Sequence, residues 1–160
     1  MIGTHPTIGC LIVFDKASFA GAEKVVQALQ RSIPISSEQL YEAGASHGHA
    51  ALGGEMPEMI VITQEAGERA FVQIEFDEDE TVSLARTTKT SFEQLFMPYV
   101  QAAKTLPGVL AVALGFELSP PADLQEQSLR DAGVAVLFTR DEQHKSWSRK
   151  ETSPMVGHYA

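Results

Sequence analysis

The chain has 160 residues, one cysteine, 44% apolar residues and a formal net charge of −9, enough apolar material for one domain-sized core. No apolar run approaches the roughly 20 residues that a membrane-spanning helix needs. The charge is segregated, with eleven acidic side chains against Arg69 alone in residues 35–85; this disfavours duplex nucleic acid, which needs clustered Lys and Arg, and favours a basic protein partner.

Ile8–Phe14 is continuously apolar and reads as a strand buried on both faces, hence central in its sheet. It lacks a basic segment before it and is followed by Asp15 and Lys16, so it does not read as a signal peptide. Cys10 lies inside this strand and is expected to be a buried, inert thiol. A lone cysteine permits no internal disulfide, the pattern of a reducing, cytoplasmic setting. Ser18 is placed to cap a helix in which Ala22, Val25, Val26, Leu29 and Ile33 recur at helical spacing, as far as Pro34.

Residues 35–57 break the regular pattern. Ser36 or Ser37 is expected to cap a short helix over 38–43, and glycines 44, 48, 53 and 54 then imply a flexible loop at about 43–57. That loop contains Gly44-Ala-Ser46-His47-Gly48 followed by His49. The G-x-S-x-G pattern activates a serine where a buried strand enters a sharp turn. Here the preceding segment is polar and helix-like, and Asp77 and His144 as triad partners have no motif behind them. His47 and His49 are spaced to share a metal ion, but the remaining ligands would have to be isolated side chains such as His5, Cys10, Glu42 or Glu55. A phosphate cradle is opposed by Glu42 and Glu55 on the flanks and by the lack of a phosphate-binding glycine fingerprint. No catalytic residue, metal or cofactor is assigned; Ser46, His47 and His49 stand as candidates for a ligand-binding loop.

Met59–Thr63 and Arg69–Phe76 read as the two strands of a hairpin turning at 65–68, with Val72, Ile74 and Phe76 inward and Gln73, Glu75 and Asp77 outward. Asp77, Glu78, Asp79 and Glu80 repel one another, so an exposed turn is expected. They do not fit a calcium-loop spacing, and form the candidate docking patch for a basic partner. Ser91 is placed to cap a helix with an apolar stripe from Phe92 to Leu106; Pro98 inside it must kink the helix or mark its true start. Phe96, Met97 and Tyr99 beside that proline are candidates to line an apolar pocket. Val109–Phe116 is a second apolar strand, followed by a short helix from Ser119 through Leu129 and Ala132, and by a last strand at Val134–Phe138. Residues 141–160 read as an irregular tail. Arg140, just before it, and its Lys145, Arg149 and Lys150 cluster around Trp147 and would suit an acidic surface, including that of a second copy in a homodimer.

The element order matches a ferredoxin-like βαββαβ pattern with an added αβ unit. The expected fold is thus an α/β (α+β) sandwich, helices on a mainly antiparallel or mixed sheet, in a single domain at 1–140. The expected function is a non-catalytic binding or regulatory protein, acting in the cytoplasm on a basic protein partner, without nucleic acid or membrane. The alternative is a small enzyme or ligand-binding protein whose site lies under the loop at 43–57.

Overall fold

The computed structural model describes residues 6–40, 45–141, 143 and 145–153. Its strands are β1 (Thr7–Asp15), β2 (Ile35–Leu40), β3 (Ala45–Ala50), β4 (Glu58–Ala66), β5 (Arg69–Asp77), β6 (Val109–Phe116), β7 (Val134–Asp141) and β8 (Ser146–Glu151). The helices are α1 (Ala22–Leu29), α2 (Glu78–Thr88), α3 (Phe92–Lys104) and α4 (Glu126–Asp131). All eight strands join one sheet in the order β2-β3-β4-β5-β1-β6-β7-β8, and every pairing in it is antiparallel.

This corrects the ferredoxin-like expectation. A split βαβ unit returns its second strand beside or near the first. Here the chain leaves β1, forms α1 and enters the sheet at its far edge as β2, with β3, β4 and β5 between. A four-strand meander then walks back to β1. Two segments read as irregular cause the difference. The glycine-rich stretch forms β3, paired on both sides by β2 and β4, and part of the tail forms β8 against β7. Ladder partners satisfy the backbone of both segments, and this outweighs weak local strand preference. Residues 35–40 are likewise strand where a helix start was expected; 41–44 lie outside the described residues.

β1 is central, between β5 and β6. Its side chains alternate between two cores. Ile8, Cys10, Ile12 and Phe14 join the larger cluster with α1, α2 and α3. Leu11 and Val13 join a smaller cluster with Phe71, Leu118 and the α4 residue Leu129. Three helices therefore cover one face of the sheet, while α4 and the segment before it cover part of the other. This two-sided burial is why β1 carries no polar alternation.

The helix starts follow local chemistry. Ser91 and Gln94 form a reciprocal capping box at α3, as its sequence implies. Pro98 lies inside α3 rather than at its start. Asp77 caps α2, its Oδ2 accepting from the Glu80 N–H at 2.9 Å. The run Asp77–Glu80 is thus a helix cap and first turn, not an isolated turn. Three carboxylates at the positive end of the α2 dipole explain their clustering without any partner. Ser18 sits in a single 3-10 turn, and Gly21 is the residue that precedes α1.

Candidate functional site

A groove of about 820 Å³ lies between α1 and α3 on the helical face. Its origin is visible in the residues that face it. α1 sends Val25, Val26 and Leu29 into the core, while Lys24 and Ala28 line the groove. α3 sends Phe92, Phe96, Tyr99 and Val100 onto the sheet and presents Pro98 and Ala102 to the groove, with Leu106 just past its end. Alanines at 28 and 102 are too short to bridge the two helices, so a space remains instead of interdigitated side chains. Phe14 and Ile33, both nearly fully buried, belong to its apolar lining. The polar lining comprises Ser18, Ser32, Gln101 and Thr105 with the cations Lys24 and Arg31. Among the described residues, no carboxylate, imidazole or thiol lines it.

Phe96, Met97 and Tyr99, the alternative pocket candidates within the apolar stripe, sit one face further round α3 as part of the core. Phe96 and Tyr99 are buried against the sheet, where both rings meet Phe76 with centroids 5.7 and 6.0 Å away. Tyr99 also donates its hydroxyl to the Ala51 carbonyl at 2.5 Å, tying α3 to the turn after β3. Met97 is partly buried against the same core. The groove lies beside these residues, on Pro98 and Ala102.

The other sequence candidates separate in space. Because β3 is a strand, Ser46 and the two histidines project to opposite faces. Ser46 is buried on the helical side, opposite Val61. His47 and His49 are half-buried on the other side, with His47 Nδ1 3.7 Å from Glu58 Oε1. Ser46 is therefore not brought together with His47 or His49. Among the described residues, no three His, Cys, Asp or Glu side chains converge as metal ligands. Cys10 is fully buried, and burial pushes its thiol up to about 12, which suppresses the thiolate needed for nucleophilic chemistry. In the C-terminal segment, Arg149 is engaged by Glu93 of α3 through two hydrogen bonds of 2.7 and 2.9 Å. Trp147 packs against the core, and the Lys104 ammonium lies over the Phe138 and Trp147 rings at 5.0 and 5.6 Å.

One polar feature runs against the sequence reading. Gln73 and Glu75 were expected outward on β5, and both are buried on the second face. Gln73 Nε2 donates to the Leu118 carbonyl at 2.8 Å and, more weakly, to Glu75 Oε1 at 3.3 Å. Its Oε1 is buried without a hydrogen-bond partner among the described residues. Burial raises the Glu75 pKa, partly offset by hydrogen bonds from Gln73 and Thr7, and the nearby Glu117 charge raises it further. Alternation correctly set these residues on the opposite face from Val72 and Ile74, but nothing local shows that the segment around Leu118 covers that face.

No family model matches the chain, and no curated protein or solved structure matches it. Among the described residues, no helix is long and apolar enough to cross a membrane.

Proposed function

We propose that the protein is a non-catalytic binding protein whose ligand occupies the groove between α1 and α3. The observation that carries this reading is the groove itself. Its volume of about 820 Å³ falls in the roughly 300–1,000 Å³ range of small-molecule sites, and its apolar lining would gain from excluding water. Its lining offers Ser and Lys hydroxyl and amine groups and, among the described residues, no adjacent carboxylate or imidazole to activate them, which supports binding over catalysis.

Titration with Nile red, an uncharged dye that brightens in apolar surroundings, tests the site. The wild-type protein is expected to bind the dye, and Ala28→Trp, which fills the groove from α1, to weaken binding by about tenfold or more. The thermal midpoint of the variant, measured alongside, should stay near that of the wild type. Equal dye affinity in a folded Ala28→Trp variant would place the dye elsewhere and remove the groove as the site.

Recognition of a basic protein partner through Asp77–Glu80 is a second reading. It is supported by the solvent exposure of Asp79 and Glu80 and by the acidic excess of residues 35–85. Oligolysine is a suitable probe. Association that is strong at low salt, lost at high salt, and weakened in Asp79→Asn/Glu80→Gln would support it; association unchanged by the substitutions would sink it.

A further inference from the structure

We infer that the ligand of the groove is an amphiphile with an anionic head, a long-chain carboxylate or phosphate monoester, drawn in by Lys24 and Arg31. The inference rests on the groove being the binding site and adds the chemical class of its occupant.

The chain has 21 acidic and 12 basic side chains, so a groove placed at random would meet carboxylates more often than cations. The charged residues that line this one are Lys24 and Arg31, both basic. Lys24 lies in the first turn of α1 and Arg31 just past its last turn, so the cations stand at the two ends of one groove wall. Both are exposed, and neither forms an ion pair with another described residue. This contrasts with Arg149 and Arg130, whose guanidinium groups are held by Glu93 and Glu126. The nearest acidic residue in sequence, Glu23, does not line the groove.

The second element is the apolar body between the cations. Val25, Ala28, Ala102, Leu106 and Phe14 present carbon surface along the groove. An apolar chain laid there removes its own surface and theirs from water. A charged head at the rim keeps its hydration and gains a cation, so it avoids the cost of burying an ion. Lys and Arg are both suited to this: the ammonium as a mobile point charge, the guanidinium as a fork for carboxylate or phosphate oxygens. An uncharged apolar molecule would use only half of the site. A cationic amphiphile would meet repulsion at both ends.

Displacement of bound Nile red separates the two levels of the proposal. Decanoate, decyl phosphate and decanol share one chain and differ in the head. Both anions are expected to displace the dye at concentrations about tenfold below decanol, as for a charge-assisted contact at a partly exposed site. The order of the two anions tells carboxylate from phosphate. Lys24→Gln/Arg31→Gln, which changes two exposed side chains, should keep dye affinity and bring all three compounds within about threefold of one another. Added salt should narrow the wild-type preference in the same direction. Equal displacement by decanol and the anions in the wild type, or a preference that survives in the double variant, would overturn the anionic head while leaving the groove in place. Dye binding that Ala28→Trp does not weaken would overturn the groove itself.

Discussion

The two faces of the sheet solve the same packing problem in opposite ways. The helical face carries three helices and a core that runs from Met59 on β4 to Phe138 on β7, yet it leaves a groove where α1 and α3 face each other through alanines. The second face has one short helix and a smaller core, with a recess of about 190 Å³ beside α4, yet it is closely fitted around Gly115. At Gly115 an added Cβ would lie 2.0 Å from the Gly133 carbonyl oxygen. That closely fitted face also holds the buried pair Gln73 and Glu75. Around α1 and α3, greater coverage has not brought the tight fit seen at Gly115. Space is retained on the side with more helices because each helix can satisfy its own core stripe without closing on its neighbour.

Three substitutions bear on this contrast, in falling order of effect. Phe96→Ala removes a fully buried ring from the helical core and should cost about 3–5 kcal/mol. Urea unfolding would read this as a lower midpoint with an unchanged slope. A loss below about 1 kcal/mol would mean that the core beneath α3 can collapse around the missing ring. Gly115→Ala tests the second face. The added methyl meets backbone rather than a movable side chain, so a loss of about 1–3 kcal/mol is expected. A neutral result in thermal unfolding would show slack on that face and weaken the contrast directly.

The third substitution concerns pH. Burial raises the pKa of Glu75 above the ordinary 4.5, so the folded protein retains this proton to higher pH than the unfolded chain does. Its contribution to stability is full below about 4.5 and is lost as pH rises through the raised folded value. Glu75→Gln imitates the neutral carboxyl at every pH. The variant should match the wild type at low pH and exceed it progressively above, as seen in urea midpoints collected across that window. A constant offset at all pH values would instead assign the effect to packing or hydrogen bonding.

How much of this was legible beforehand varies by element. Continuous apolar runs located β1, β6 and β7, because strands buried on both faces leave a one-dimensional trace. The β4–β5 hairpin was legible from alternation and from Gly67, which adopts φ +61° at the turn. Ser91 announced the start of α3, and the capping box with Gln94 emerged in the structure. The start of α2 was also written locally: Asp77 with Glu80 three residues on is a capping pattern, which the repulsion argument over four carboxylates obscured. The groove was not legible. Ala28 and Ala102 are unremarkable in their own helices and acquire meaning only because those helices are neighbours.

Local chemistry by itself determined the central strand, the caps of α2 and α3, the inert cysteine and the acidic excess, since each depends on residues close in sequence. Tertiary structure decided the rest. It placed β2 at the sheet edge, turned a glycine-rich stretch into β3 and so parted Ser46 from His47 and His49. It also buried Gln73 and Glu75 and set Lys24 and Arg31 along one groove. The physical reason is common to all of these. Strand pairing and helix neighbourhood are contacts between distant residues, and their hydrogen bonds and buried area outweigh the small local preferences that a sequence displays.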